Sequence, residues 1–329
     1  MIIADLTRRR FDDWRFGPGT ERATHRPMNA PWTALVVAAL GAVAVPAAAG
    51  VPAEAAAAPR VSGIVRIEAG SFGSQSPQTV TAECPEDKQI LGGGGVVYGH
   101  PNDTLKLTLT RLEPVDSVNG TDRHGFVVTG AETARVDTPW SISAYAICAD
   151  AVPGHHIEDE PTPMSNSEGK SVAAVCPSGT RVLGSGARID NPGDHEVGLQ
   201  VARASASGDI VRAQAHVDAS GYDRSWGLTA YAVCATTPEG YQIRYGESDQ
   251  SESETTKPAR VSCGSGRRLI AAGAAITNTA PGHVSLQRSV PYSTPTYNSV
   301  SAMAVENTPY NDNWDFIVAQ AICVTPGPT

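Results

Sequence analysis

The chain has 329 residues, a formal net charge of −9, 18% charged and 6% aromatic residues, with 32 Gly and 24 Pro. That length holds two or three ordinary domains, and an acidic balance with no Lys/Arg cluster interleaved with aromatics excludes a nucleic-acid or anionic-membrane binder. Gly and Pro at this density, with no capped helical periodicity, point to short strands and turns.

In chain order, the first feature is a leader. No charged residue occurs from Pro27 to Ala53, and Thr33 to Val45 is an apolar run of Ala, Val and Leu. Arg8, Arg9, Arg10, Arg15, Arg22 and Arg26 precede it, and Ala47-Ala48-Ala49 follows. A basic region, an apolar core and a small-residue exit read as a secretory signal peptide over 1–49, with 50–59 as a flexible mature N-terminus. Thr7-Arg8-Arg9-Arg10-Phe11 is similar to a twin-arginine signal, although Asp12 and Asp13 follow it, and Met28 is a second candidate start. The run is short for a span of about 20 apolar residues, so no integral membrane segment is expected after cleavage. Losing 1–49 removes six Lys/Arg and four Asp/Glu, which moves the formal charge from −9 to −11.

The remainder repeats three times: 60–150, 151–236 and 237–326. Six cysteines set the register in two alternating contexts. Cys84-Pro85, Cys176-Pro177 and Cys263-Gly264 each end a strand and enter a turn before Gly92-Gly93-Gly94, Gly184-Ser185-Gly186 and Ala271-Ala272-Gly273. Each copy closes on a Trp-led strand: Trp140 to Cys148, Trp226 to Cys234 and Trp314 to Cys323. Entry strands are expected at 64–68, 156–158 and 241–245. Between the cysteines the runs 90–98, 105–112 and 126–129, then 182–189, 197–202 and 210–217, then 269–277, 284–289 and 299–305 read as strands. The fold class is therefore all-β: three tandem antiparallel β-sandwich-like repeats of about 90 residues with one disulfide each. The polar linkers Ala151–Ser167 and Thr236–Pro258 permit beads on a string or closure around a pseudo-threefold axis.

Along the closing strands, Trp140, Ile142, Ala144, Ala146 and Cys148 share one face, so Trp140, Trp226 and Trp314 are expected core aromatics. Trp314 stands nine residues before its cysteine rather than eight, which predicts a β-bulge between Trp314 and Ala319. Paired glycines at 92/94 and 184/186 predict a close neighbour, either another backbone or a ring, with the facing Trp as the first candidate.

Six cysteines allow fifteen pairings. Threefold repetition favours Cys84–Cys148, Cys176–Cys234 and Cys263–Cys323 over a set that joins neighbours. A pairing inside each repeat would suit a unit that buries its own core, and the spacing carries no zinc motif.

No Gly-x-Ser-x-Gly elbow, His-Glu-x-x-His or Walker loop is present, so no catalytic residue, metal or cofactor is assigned. The acidic Glu158-Asp159-Glu160 reads as a solvated linker, and His155-His156 beside it is a weak metal candidate, because adjacent residues point apart in an extended chain. The turn after each Gly-rich strand carries a histidine: His100 with Asn102 and Asp103, His195 with Asp190 and Asn191, and His283 with Asn278. Pro, Gly, Asn and Asp are what turns require, and the same residues could present amide, carboxylate and imidazole groups to a glycan. Tyr145 and Tyr231 face away from the cystine side, where they either stack on sugars or pack between sheets. Gln320 takes their place in copy three.

Cys176-Pro177-Ser178-Gly179, within three β repeats, resembles the strand starts of vitelline membrane outer layer proteins, whose β-prism has internal threefold symmetry. The Trp…Ala-Tyr-Ala-x-Cys ending is similar to that of exported bacterial repeat proteins without assigned activity. The resemblance covers one short motif per copy, in a repeat that is longer here, and transfers no catalytic residue. It implies a non-enzymatic extracellular role. The expected function is a secreted binding protein that recognises carbohydrate or a cell-envelope surface through its repeat loops. The alternative is a structural or assembly subunit with secreted protein partners, and a hydrolase with a dispersed site comes third.

Overall fold

A computed structural model describes residues 57–328 apart from 102, 192–195, 250–253, 278–280, 311 and 312. The expected signal peptide and twin-arginine run lie outside the described residues, as do Asn102, His195 and Asn278. Each repeat contributes six strands. Repeat 1 has β1 Val65–Gly73, β2 Gln78–Glu83, β3 Gln89–Tyr98, β4 Leu107–Val115, β5 Gly125–Glu132 and β6 Trp140–Ala149. Repeat 2 has β7 His156–Pro161, β8 Gly169–Val175, β9 Thr180–Asp190, β10 Val197–Ala204, β11 Ile210–Val217 and β12 Gly227–Thr236. Repeat 3 has β13 Gln242–Glu247, β14 Thr256–Ser262, β15 Arg268–Thr277, β16 Val284–Ser293, β17 Asn298–Glu306 and β18 Phe316–Val324.

The strands form three antiparallel six-stranded sheets. Sheet I runs β1-β6-β3-β16-β17-β14, sheet II β13-β18-β15-β10-β11-β8 and sheet III β2-β5-β4-β9-β12-β7. Each repeat is thus a small sandwich, three strands on three, and each half continues into a sheet of a neighbour. The seams are short: Arg288↔Val96 and Ser289↔Gly95 in sheet I, Ala202↔Ala274 and Val201↔Ala275 in sheet II, Arg111↔Arg188 and Leu112↔Ala187 in sheet III. A parallel bridge between Val61 and Pro326 ties the two ends of the described chain together, and Pro59 accepts from the Glu239 amide at 2.8 Å.

The disulfides are Cys84–Cys148, Cys176–Cys234 and Cys263–Cys323. Each joins the two halves of one repeat, and so staples one sheet to the next. Pairing inside a repeat therefore does not mean autonomous repeats: the cysteines bridge within a copy while the backbone ladders run between copies. Each bridge closes 58 to 64 residues. Replacing Cys176 and Cys234 together by Ser is expected to lower the guanidinium unfolding free energy by about 4 kcal/mol. A loss under about 1 kcal/mol would mean that the seams already restrain the unfolded chain.

The glycines explain how the body closes. One residue of each Gly-rich strand bulges, Leu91, Leu183 and Ile270, and all three are fully buried. The next residues, Gly92, Gly184 and Ala271, meet on the pseudo-threefold axis. A Cβ at Gly184 would stand 2.1 Å from the Leu91 carbonyl oxygen, and one at Gly92 would stand 2.5 Å from the Ala271 Cβ. The neighbour expected to be a Trp ring is thus the backbone of another repeat. Thr108, Gly198 and Ser285 form a second trio further along, where a Cβ at Gly198 would lie 2.8 Å from Ser285. Backbone is close-packed at these positions.

Trp140, Trp226 and Trp314 are 0–1% exposed, and each indole N–H is satisfied, as burial requires. Trp140 Nε1 donates to Glu132 at 3.1 Å, Trp226 to the Ser167 carbonyl and Trp314 to the Glu254 carbonyl, both at 2.9 Å. The bulge expected between Trp314 and Ala319 is absent. β18 pairs regularly from Phe316, and the extra residue is taken up before the strand. There the buried Lys257 Nζ donates to the Trp314 and Asp315 carbonyls at 2.5 and 2.7 Å and to Asn313 at 2.8 Å. A coil held by three hydrogen bonds costs the sheet no ladder bond, which a bulge would.

Candidate functional site

The turns 99–106, 191–196 and 278–283 join β3, β9 and β15 to β4, β10 and β16, so they leave the body at one end of the axis. Most of their described polar groups are used within the fold. The Asp103 carboxylate, 7% exposed, accepts from Lys106 Nζ at 2.8 Å and Thr138 Oγ1 at 3.0 Å. These hydrogen bonds hold it below the usual carboxylate range. Asp190 accepts from Arg188 Nε at 2.6 Å and Thr229 Oγ1 at 2.7 Å. Asn191 has φ +57°, the left-handed conformation that Asn tolerates, and donates to the Ser225 carbonyl at 2.7 Å. His283 Nδ1 lies 2.9 Å from Thr308 Oγ1, and its ring is 5.1 Å from Tyr310. His100 is exposed. The described turn residues therefore build the turns, and no cluster of metal-ligating side chains occurs among the described residues.

The same end carries a feature that the sequence reading passed over. An open cleft of about 700 Å³ lies between the β11–β12 turn of repeat 2 and Pro281–Gly282 of repeat 3. Asn166, Glu168, Glu196, His216, Tyr222 and Arg224 are among its lining residues. Two contacts fix its walls: the Ala219 amide donates to the Gly282 carbonyl at 3.0 Å, and Ser220 N donates to the Asp218 carboxylate at 2.8 Å. Gly282 has φ +82°, and a Cβ there would stand 2.7 Å from the Val217 carbonyl oxygen, so only glycine lets the two turns touch. Arg224 stacks 5.4 Å from the Tyr222 ring. The signal for this cleft was Ser220-Gly221-Tyr222-Asp223-Arg224, a turn that holds an aromatic and both signs of charge.

Tyr145 and Tyr231 are buried, 5% and 6% exposed, which excludes sugar stacking. Arginines cover them: Arg66 lies 4.3 Å from the Tyr145 ring and Arg188 5.6 Å from the Tyr231 ring. Burial pushes the Tyr145 hydroxyl up to about 12. Gln320 does the same task in sheet II through two hydrogen bonds to Ala204, at 2.8 and 2.7 Å.

Near the first disulfide, His155 Nε2 donates to the Ile90 carbonyl at 2.6 Å, and its ring meets His124 at 5.5 Å. Burial lowers both pKa values below the ordinary 6.5. Above about pH 6.5 both histidines are neutral in folded and unfolded chains, so they add no pH dependence. Below it the unfolded chain protonates first, and stability falls as pH drops toward the folded-state values. Unfolding midpoints between about pH 7.5 and pH 5 should decline less steeply in His155→Gln than in the parent. Equal slopes would remove His155 as a cause.

No helix among the described residues is long and apolar enough to cross a membrane. Neither a protein-family model nor a curated protein matches the chain.

Proposed function

We propose that this chain is an exported, non-enzymatic binding protein whose ligand is a carbohydrate, taken at the loop end of the body. The observation that carries this reading is the cleft between repeats 2 and 3. Its amide, carboxylate, imidazole and guanidinium groups, with the Tyr222 ring, are the mix that sugars require: planar hydrogen-bonding groups beside an aromatic. Three disulfides suit an oxidising compartment. The alternative, an assembly subunit, draws on Val175, which is 57% exposed at the end of β8, an edge strand of sheet II.

A glycan array probed with the secreted protein tests the reading. Binding is expected, and Tyr222→Ala is expected to weaken it about tenfold, the effect of losing roughly 1.4 kcal/mol. An array without a hit, together with a defined protein complex from the culture medium, would favour the alternative.

A further inference from the structure

The three sheets are related by the repeat, so their outer faces can be compared position by position. Phe72, Ser141 and Tyr98 lie in one cross-strand row of sheet I, on β1, β6 and β3. The equivalent residues are Pro163, Gly227 and Asp190 on sheet III, and Asp249, Phe316 and Thr277 on sheet II. Only sheet I therefore sets two aromatics astride a small residue. Both are open: Phe72 is 72% and Tyr98 42% exposed. The adjoining row is Gly70, Ser143, Val96 and Arg288. Two aromatic tiles thus stand two strand spacings apart, about 9.6 Å, over a floor of glycine and serine.

The charge on this face differs too. At the sheet III seam Arg111 and Arg188 are neutralised by Glu113 and Asp190. On sheet I, Arg66 is held by Glu68 at 3.2 Å. Arg288 packs 5.7 Å from the Tyr98 ring and forms no ion pair among the described residues. Its Nε is buried and has no hydrogen-bond partner. Arg260, exposed on β14, shares the face. The strand residues of this face thus carry Arg66, Arg260 and Arg288 against the single carboxylate of Glu68, on a chain of net charge −9.

We propose that the outer face of sheet I is a second binding surface, for a polysaccharide with carboxylated sugars. Its chain would lie across β1, β6 and β3, with pyranose faces on Phe72 and Tyr98. Ser141 and Ser143 would hydrogen-bond its hydroxyls, and Arg288 would pair with a carboxylate. Arginine suits that partner because its planar fork matches a carboxylate. Phe72 and Tyr98 stand open on a sheet surface, which suits the side of a polymer. The inference rests on the carbohydrate class proposed above, while its own residues lie outside the cleft.

The test uses the secreted full chain with oligogalacturonate, and with the methyl ester of the same oligomer, by calorimetry at low and high salt. The acid form is expected to bind, with the ester at least about tenfold weaker. Phe72→Ala and Tyr98→Ala should each weaken binding about tenfold, and Tyr98→Phe, which keeps the ring, by no more than about twofold. Arg288→Gln should remove most of the salt dependence. Phe72 is exposed enough that its variant should fold. Failure of oligogalacturonate to bind overturns the proposal, as does binding that is insensitive to both alanine variants. Binding lost in Tyr222→Ala but kept in Phe72→Ala would place the sugar in the cleft alone, so this inference would fall while the proposed function stands.

Discussion

Repeat 2 expressed alone, residues 151–236 with its disulfide formed, is expected to show no cooperative unfolding transition. In the whole chain the described residues of this segment form β7 to β12. Its β10 pairs with β15 of repeat 3 and its β9 with β4 of repeat 1. Cut out, both become open edges. Leu183, Val197 and Leu199, all fully buried, would lose the neighbours that cover them. A unit of this size buries only about 60% of its unfolded-chain surface, which leaves little margin for the loss. Heat or guanidinium with near-UV circular dichroism is the measurement. A sharp transition with native-like aromatic signals would show that each sandwich holds its own core and that the seams are secondary.

Gly184→Val is expected to cost about 3 kcal/mol or more, and Gly184→Ala about 1–3 kcal/mol, by overpacking. The clash is with main chain, the Leu91 carbonyl oxygen at 2.1 Å and the Gly92 Cα at 2.8 Å. Neither can turn aside as a side chain would. Gly73→Ala is the control, since nothing lies within 4 Å of a Cβ there, and it should stay within about 0.5 kcal/mol of the parent. The axis accepts one methyl group, which Ala271 supplies. Gly92→Ala should therefore be destabilising alone and partly rescued by Ala271→Gly, a coupling that a double-mutant cycle reads directly. Additive effects would mean that the three strands do not share one contact point.

The sheet I face and the loop-end cleft came from different sources. Phe72 and Tyr98 are 26 residues apart in the chain and meet only because β6 runs between β1 and β3. No local pattern in either segment marks the row. The histidine turns, by contrast, were conspicuous in sequence, yet the described members Asp103, Asp190 and Asn191 are turn-building groups. Turn chemistry and ligand chemistry use the same side chains, so residue type could not separate the two uses. The cleft, in turn, needs repeat 2 and repeat 3 side by side.

What the sequence determined by itself was whatever depends on spacing along one copy. The threefold recurrence, the alternating core face of the closing strands and the absence of a helical pattern follow from side-chain period and the recurring motifs, and the recurrence favoured the disulfide within each copy that the structure then placed. What only the tertiary structure decided was how the copies meet. Each seam is formed by two residue pairs of backbone hydrogen bonding, and backbone groups are the same in every strand. The missing side chains of Gly92 and Gly184 announced a close neighbour without naming it, because a ring and a carbonyl demand the same empty space. The extra residue before β18 likewise demanded relief, which Lys257 and a short coil provided outside the sheet, where no ladder bond had to be broken.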